Sequence, residues 1–414
     1  MTALIAQQLA DLLEPLIGGE LPVRIVAWDG SATAAHEGDD RPIVRLNSPA
    51  VLRRQLWGPG ELALSQSYVL GELEVSGGLY PALRRVWEVV QQRRLSALKV
   101  TPALLAKLAV IARSAGAIGP RLAAPDSQAK LVGRLHSKLR DKRAISHHYD
   151  LSNDFYGLIL DQRMAYSSGY WQDGANNLFD AQGAKCRLVG EKLELKPGMR
   201  VLDIGCGWGS LSIELAEQFD VEMVGVTISA EQRAFAIERS KRRGVAEQVE
   251  IRLQDYREIT GGPFDAVVSL EMGEHVGQRN YPSYVTAIRE NLKAGGTALV
   301  QQMSRRGKYP GGGPFIEAFI APDMHMRPLG ETIGFFEAGG LEVLGVQSLR
   351  KDYVQTIAAW RASFDKNIDA AVEMMGSEVA RVWELYLAGG ELTFAQGRMG
   401  VDQILMRKPE GSRL

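Results

Sequence analysis

The stretch VLDIGCGWGSLSIELAEQF (201–219) decides how the second part of this chain folds. An apolar run of strand length ends in glycines at alternate positions, Gly205, Gly207 and Gly209, and a run with helical periodicity follows at once. Glycine tolerates positive φ and lets a ligand come close to the backbone. The stretch therefore predicts a strand, a ligand-binding loop and a helix.

Strand and helix patterns continue to alternate beyond this unit. MVGVTIS gives a second strand, and AEQRAFAIERSKRRG gives a second helix that closes at Gly244. VEIRLQD, FDAVVSLEM and GTALVQQM predict further strands. This alternation is typical of an α/β fold with a doubly wound, Rossmann-like and mostly parallel sheet. Such sheets bind ligands beyond the carboxyl ends of their strands, near the point where the strand order reverses.

The length of 414 residues exceeds one typical domain, so two are expected. Residues 1–80 mix short strands (VRIVAW, PIVRL) with turns and a helix, which predicts a smaller N-terminal α+β domain. Residues 81–145 are basic and mostly helical and are predicted to form a linker, with Thr101 as an N-cap before Pro102. Residues 146–414 form the predicted α/β domain.

The charge of the chain is unevenly distributed. Between Pro81 and Ala144 there are fourteen Lys/Arg and three Asp/Glu, whereas the whole chain has a net charge of −1. A solvated linker surface and a face for an anionic partner both explain the excess, and nucleic acid and anionic membrane are both candidate partners. The run ALLAKLAVIARSAGAIG fits either a core helix or a helix in a membrane interface with its cations pointing outward.

Other features of the composition narrow the class of protein. No apolar run approaches the ~18 to 20 residues of a transmembrane helix. The N-terminal stretch lacks a basic start and carries Asp11 and Glu14, which argues against a secretory signal. Two cysteines, Cys186 and Cys206, indicate neither a disulfide framework nor a zinc cluster. We therefore expect a cytoplasmic protein without a metal site.

The glycine spacing argues against a dinucleotide-binding enzyme. The loop reads G-x-G-x-G, and Ser210 stands where the dinucleotide fingerprint has its last glycine. Thr227 and Ser229 follow the second strand, where that fingerprint has an acid. Ser229 and Gln232 have the spacing of a capping box, although Gln232 could also face a ligand. Asp255 closes the third strand at the same sheet edge, where its carboxylate could accept hydrogen bonds from an exocyclic amine.

Several stretches together resemble the cyclopropane-fatty-acid synthase and mycolic-acid methyltransferase family. They occur in the family's order and cover residues 145–414, while the first 145 residues resemble the N-terminal extension of the longer bacterial synthases. The later run GGGPFIEAFIAPDMHMRPLGET (311–332) is closer to the branch that makes 10-methyl, tuberculostearic-type acyl chains. The stretches that carry the resemblance are HHYDLSNDFYGLIL (147–160), YSSGYW (166–171), VLDIGCGWGSLSIELAEQF, GVTISAEQ, LQDYR and LEMGEHVG (270–277).

The resemblance implies a methyltransferase that uses S-adenosyl-L-methionine as its methyl donor. The residues that correspond to the family's cofactor site are Tyr166, Ser167, Asp203, Gly205, Gly207, Gly209, Thr227, Gln232, Gln254 and Asp255.

The family's active site also holds a bicarbonate ion that takes up a proton. Its ligands correspond here to Ser168, Glu274, Gln301 and Tyr353, which are the predicted catalytic residues. The family usually has cysteine in place of Ser168 and commonly histidine in place of Gln301. Serine and glutamine still hydrogen-bond anions, but the two changes make bicarbonate a doubtful ligand. His275, beside Glu274, is interpreted as structural.

The chemistry sets demands on such a site. A sulfonium methyl is a strong electrophile, and its transfer to an alkene leaves a carbocation. The site must be dry, and aromatic faces or carboxylates must stabilise positive charge. The position at which the next proton is lost decides between a cyclopropane and a methylene-branched chain, which a separate reductase could saturate. Aromatic residues near the motifs are mostly expected in the core, with a few in the wall of an acyl tunnel.

We therefore predict C-methylation of the double bond of unsaturated phospholipid acyl chains at an anionic membrane surface, giving a methylene- or methyl-branched product. A true cyclopropane synthase is the first alternative, and a small-molecule or nucleic-acid methyltransferase of the same fold is the second. A non-catalytic lipid- or nucleic-acid-binding protein is a third. An Asn-Pro-Pro-Tyr-type motif for base methylation is absent, so no nucleic-acid partner is expected. Peripheral attachment to the inner membrane face is expected, and a homodimer is left open.

Overall fold

Two compact units make up the chain: the first comprises Met1–Gln128 and Ile368–Leu392, and the second Ala129–Asn367 and Thr393–Leu414. No helix among the described residues is both long and apolar enough to cross a bilayer. The computed structural model describes residues 4–95, 101–129, 152–172, 174–307 and 311–411.

The first unit combines a small sheet with helices. Parallel pairing joins β1 to β2, and β3 pairs antiparallel with β2. The predicted strands VRIVAW and PIVRL are β1 and β2, which confirms the α+β character of this region. The elements are β1 (Arg24–Val26), β2 (Ile43–Leu46), β3 (Leu73–Ser76), α1 (Ile5–Ile17), α2 (Ala50–Trp57), α3 (Glu61–Val69), α4 (Leu79–Gln92), α5 (Pro102–Ser114), α14 (Ile368–Met375) and α15 (Ser377–Ala395), whose last residues belong to the second unit.

Helix α5 packs into the core of the first unit and does not form a separate linker. Thr101 caps it by accepting a hydrogen bond from the amide of Leu104, with Pro102 at the first turn, as predicted. Its buried residues Ile111 and Ala112 belong to the same apolar cluster as residues of α1. The domain boundaries therefore differ from those expected at residues 80 and 145, because α5 has a buried apolar stripe that needs a core. Residues 130–145 lie outside the described residues.

The second unit is built on a seven-stranded sheet with the order β6-β5-β4-β7-β8-β10-β9. The first five strands of this order are parallel, and β10 runs antiparallel to both of its neighbours. This is the doubly wound, mostly parallel sheet that the sequence predicts. The strands are β4 (Arg200–Ile204), β5 (Glu222–Thr227), β6 (Val249–Leu253), β7 (Phe264–Leu270), β8 (Leu292–Arg305), β9 (Glu342–Ser348) and β10 (Met399–Arg407).

Alternate residues of the central strands enter two apolar cores, one on each face of the sheet. Val201 of β4 packs in the core that contains α7 and α8, and its neighbour Leu202 packs in the core that contains α10 and α12. Burial on both faces explains why these strands are continuous apolar runs. The helices of this unit are α6 (Asn153–Gly157), α7 (Leu178–Lys192), α8 (Ser210–Phe219), α9 (Ala230–Arg242), α10 (Tyr281–Glu290), α11 (Pro314–Phe319), α12 (Leu329–Ala338) and α13 (Arg350–Lys366).

Candidate active site

A cleft of about 1230 Å³, its opening to solvent included, lies at the carboxyl ends of strands β4 to β7. Nine of the ten predicted cofactor residues line it, and Gly209 is the exception. His275, interpreted from the sequence as structural, lines it too. The predicted residues in the lining are Tyr166, Ser167, Asp203, Gly205, Gly207, Thr227, Gln232, Gln254 and Asp255.

Strand order arranges these residues along the cleft. Asp255 follows β6, Thr227 ends β5, Gly205 follows β4 and Glu271 follows β7, and these strands are consecutive neighbours in the sheet. Neighbouring strands lie ~4.8 Å apart, so the cleft has one end near Asp255 and the other near Glu271. Strand β4 lies between β5 and β7, at the point where the strand order reverses, which is where such sheets bind ligands.

The glycine loop forms the floor of the cleft. Gly205 and Gly207 have φ of +84° and +54°, and a Cβ at Gly205 would lie 3.0 Å from a side-chain carbon of Met272. Gly209 also has a positive φ, but a Cβ there would lie 2.9 Å from the Cβ of Ala236 on α9. The structure therefore gives Gly209 a helix-packing role, which the prediction of a cofactor contact did not foresee.

The outer part of the cleft is its end near Asp255, where polar side chains come from β5, α9 and the segment after β6. The Thr227 hydroxyl donates to the side-chain oxygen Oε1 of Gln232 over 3.0 Å. The backbone N–H of Gln232 donates to Ser229 Oγ, so Ser229 caps α9 as predicted. Gln254 Oε1 is buried and has no hydrogen-bond partner among the described residues. Asp255 pairs with Arg257 over 2.6 Å.

The inner part of the cleft, toward Glu271, contains buried ionisable side chains. Asp203 is 2% exposed and accepts a hydrogen bond from Ser212 over 2.8 Å. Burial raises the pKa of Asp203 to about 6, although the Ser212 hydroxyl and the Lys185 ammonium oppose the rise. Lys185 is 1% exposed, and its ammonium donates to Ser167 Oγ over 2.9 Å. A helical lysine is ordinarily a surface residue, so the sequence offered no sign of this one.

Aromatic rings form a continuous series beside the inner cleft. Trp208 and Tyr156 have centroids 4.7 Å apart, and Tyr156 and Tyr166 are 5.6 Å apart. The series continues from Tyr166 to Trp360 over 5.2 Å and from Trp360 to Tyr353 over 5.8 Å. It connects the glycine loop with Glu271, because Tyr353 donates to that carboxylate. Tyr166 and Trp208 of this series line the cleft, and aromatic faces supply the negative potential that a cationic reaction needs.

Three of the four predicted catalytic residues meet at one carboxylate, and that carboxylate belongs to Glu271. The Ser168 amide and Gln301 Nε2 each donate to Glu271 Oε1 over 2.8 Å. The Tyr353 hydroxyl donates to Glu271 Oε2 over 2.8 Å. Ser168 contributes its backbone amide, since its hydroxyl donates to the carbonyl of Gly169. A carboxylate directly after an apolar strand could have been recognised in the sequence. Glu271 occupies that position after β7, whereas the prediction chose Glu274, three residues later.

Glu274, the fourth predicted catalytic residue, makes no hydrogen bond to the other three in the described chain. Glu274 is 1% exposed, and neither of its carboxylate oxygens accepts a hydrogen bond of good geometry within the described chain. Burial, and after it the charge of Glu271, raises the pKa of Glu274 to about 8. Burial also raises the pKa of Glu271, but its three hydrogen bonds favour the charged form. The three donors therefore favour the charged form at Glu271 over the charged form at Glu274.

A row of amides fixes the orientation of Gln301. Lys192 Nζ donates to Gln403 Oε1 over 2.6 Å, and Gln403 Nε2 donates to Gln301 Oε1 over 3.0 Å. Gln301 and Gln403 are directly opposed on β8 and β10. An ammonium can only donate, so the amide nitrogen of Gln301 faces Glu271.

The arrangement leaves no place for a separate anion among Ser168, Gln301 and Tyr353. Their donors already bind the Glu271 carboxylate, and a second anion against it would be repelled. These residues therefore do not fit bicarbonate, in agreement with the two changes from the family pattern.

Comparison with known proteins decides the family. A model of the mycolic acid cyclopropane synthetase family matches residues 136–404. The chain belongs to this family. Its fold and the chemistry of its cleft agree with that membership, and it is an S-adenosylmethionine-dependent lipid methyltransferase.

Similar proteins cover most of the chain. A probable fatty acid methyltransferase of Mycobacterium tuberculosis is 33% identical and covers 97% of this chain and 94% of its own length. A tuberculostearic acid methyltransferase of the same organism is 32% identical and covers 92% and 87%. The crystal structure of a mycolic acid cyclopropane synthase complexed with SAH and CTAB matches with a TM-score of 0.61 and 30% identity, over 64% of this chain and 98% of that one.

The cleft fits S-adenosylmethionine. The floor is a glycine cradle, Gln254 offers a buried free oxygen, and Asp203 and Lys185 offer charges of both signs for an amino acid moiety. When bound, the cofactor supplies an electrophilic methyl group. Asp255 would hold the adenosine at one end of the cleft, and Glu271 would face the methyl donor at the other.

We predict that Gly207→Val abolishes cofactor binding. The nearest atom to a Cβ at this position is Gln232 Nε2 at 4.0 Å, so the new side chain would extend into the cleft. Isothermal titration with S-adenosylhomocysteine should show no binding to the folded variant. Gly244→Val is the matched control, because Gly244 also has a positive φ of +76° and open surroundings but lies outside the cleft. Unchanged affinity of Gly207→Val would remove the cofactor from this loop.

Proposed function

We propose that the protein methylates the double bond of unsaturated phospholipid acyl chains and yields a methylene-branched chain, which a separate reductase saturates to a methyl branch. The observation that carries the proposal is the Glu271 carboxylate, held by three donors at the end of the cofactor cleft. The tuberculostearic acid methyltransferase among the similar proteins supports the same product class.

Chemistry assigns each part of the site a task. Attack of the alkene on the sulfonium methyl would form one carbon–carbon bond, break the sulfur–methyl bond to release S-adenosylhomocysteine, and leave a cation on the neighbouring carbon. The ring of Tyr166 lines the cleft and would stabilise this positive charge, and the buried rings of Trp360 and Tyr353 behind it would help to exclude water that would trap the cation. Glu271 then accepts the proton that the methylated chain must lose.

The identity of the base bears on the product. A hydride shift would move the cation onto the methyl-bearing carbon, and loss of a methyl proton would then give a methylidene (C=CH₂) branch on the chain. Loss of that proton before the shift would close a cyclopropane ring. Glu271 is a fixed carboxylate tied to β8 and α13 through Gln301 and Tyr353, unlike a small anion bound beside the chain. We propose that this fixed position favours proton removal after the shift.

The two alternative products have the same mass, so nuclear magnetic resonance must separate them. We expect purified protein, S-adenosylmethionine and vesicles of a monounsaturated phospholipid to give vinylidene proton signals in the extracted lipids. High-field cyclopropyl signals without vinylidene signals would establish a cyclopropane synthase instead. Modification of a small-molecule acceptor with no lipid product would favour the second alternative. The control is the Gly207→Val variant, which should give neither signal.

Substitution of the two carboxylates should separate their roles. Glu271→Gln keeps the shape but removes the base, so turnover should fall by ~10²- to 10⁴-fold. Glu274→Gln resembles the protonated form that Glu274 already has at pH 7, so its loss should be much smaller. Single-turnover rates measure both, and titration with S-adenosylhomocysteine confirms that each variant still binds the cofactor product. Equal losses in the two variants, or full activity of Glu271→Gln, would contradict the assignment of the base.

We further propose that helix α5 brings the first unit to anionic membranes. Lys107, Val110 and Arg113 are exposed and lie three residues apart on one face of α5, while Ile111 and Ala112 on the opposite face are buried. Val110 is 69% exposed. A helix with an apolar residue between cations on its solvent face suits a membrane interface. Peripheral attachment would give the enzyme access to phospholipid acyl chains.

Binding to anionic vesicles should weaken steeply with added salt. Each Lys or Arg near such a surface contributes ~1 kcal/mol, so Lys107→Gln with Arg113→Gln should weaken vesicle binding by about 30-fold at low salt. The pair Lys241→Gln with Arg242→Gln removes the same charge from an exposed part of α9 and serves as the control. Co-sedimentation with phosphatidylglycerol and phosphatidylcholine vesicles measures both. Equal binding to the two vesicle types at all salt concentrations would refute the electrostatic part.

A further inference from the structure

Lys185 has unused hydrogen-bonding capacity inside the cofactor cleft. It is 1% exposed, lines the cleft, and makes one hydrogen bond within the described chain, from Nζ to Ser167 Oγ over 2.9 Å. None of the described carboxylates forms an ion pair with it. An ammonium has three donors, and leaving donors of a buried charge without partners is costly. A ligand that brings an acceptor to this point would relieve that cost.

The charges around Lys185 match those of one ligand. Asp203 and Glu271 also line the cleft, and the Lys185 charge opposes the rise of both of their pKa values. Asp255 and Arg257 also line the cleft, but they pair with each other. The remaining charged groups at its inner part are two carboxylates and one ammonium. S-adenosylmethionine has the opposite set, with an ammonium and a sulfonium as cations and one carboxylate. The numbers and signs of the charges are complementary.

We propose that Lys185, together with Ser167, binds the α-carboxylate of the methionine moiety. Asp203, near the carboxyl end of β4, receives the α-ammonium. Glu271, just after the neighbouring strand β7, faces the sulfonium. Lys185 thereby fixes the direction in which the amino acid lies. The assignment rests on the cofactor occupying this cleft, and it adds a residue that was absent from the sequence-based set.

A purely structural role for Lys185 would be to offset the charge of Asp203 and Glu271. Removal of the ammonium would then change the protein in the same way whatever ligand binds. A role in carboxylate recognition makes the effect depend on one group of the ligand. The two roles are therefore separated by a pair of ligands that differ only in that carboxylate.

The test compares S-adenosylhomocysteine with its decarboxylated analogue by isothermal titration. In Lys185→Met, which keeps the length of the side chain, binding of S-adenosylhomocysteine should weaken by about 10- to 100-fold, as expected for loss of a hydrogen bond to a charged group. The decarboxylated analogue should bind wild type and variant with nearly equal affinity. Lys185→Arg should restore part of the preference for the carboxylate. Lys196→Met, exposed just beyond α7, controls for loss of a positive charge.

The outcomes are distinct. Equal weakening of both ligands in a folded Lys185→Met protein, or no weakening of either, overturns the proposal. If Lys185→Met is unfolded by circular dichroism, the same comparison is made with Lys185→Arg and Ser167→Ala, and an unchanged preference for the carboxylate in both overturns it. If Gly207→Val binds S-adenosylhomocysteine normally, the cofactor lies elsewhere and the assignment of the cleft fails first.

Discussion

The site depends on the convergence of three hydrogen bonds on the Glu271 carboxylate. The donors come from a loop, from β8 and from α13, so the carboxylate is fixed only when all three parts of the second unit are in place. Glu271 itself has a φ of +51°, a conformation that costs free energy in a residue with a Cβ. Hydrogen bonds to a charged group are strong enough to hold such a backbone. The base is thus stabilised by the tertiary fold and not by its own segment.

Much of the fold could be predicted from the sequence, because parallel strands buried on both faces are continuous apolar runs that are easy to recognise. The apolar run at β4, the glycines after it and the capping residue Ser229 all act locally, and the structure places each as expected. The relation of the strand ends to one cleft also follows from topology alone. For that reason nine of the ten predicted cofactor residues line the same cleft.

Other features depend on contacts between distant segments and left no local pattern. Glu271 and Glu274 lie three residues apart after the same strand, and only the packing of β8 and α13 shows which one the donors reach. Lys185 looks like an ordinary helical lysine until the fold buries it. The first unit likewise gains α14 and part of α15 from the end of the chain, where Ala388 joins its apolar core. Sequence spacing carries no sign of such a return.

The row of side chains from Lys192 through Gln403 and Gln301 to Glu271 has a single polarity. One end can only donate and the other can only accept, so both intervening amides are forced into one of their two rotational states. If either side-chain amide rotated by 180° alone, two donors or two acceptors would face each other. The side-chain amide dipoles of Gln403 on β10 and Gln301 on β8 therefore point the same way, from the half-buried Lys192 on α7 toward the Glu271 carboxylate. Histidine, with two tautomers, would let that alignment change with the protonation of its own ring, whereas glutamine does not titrate.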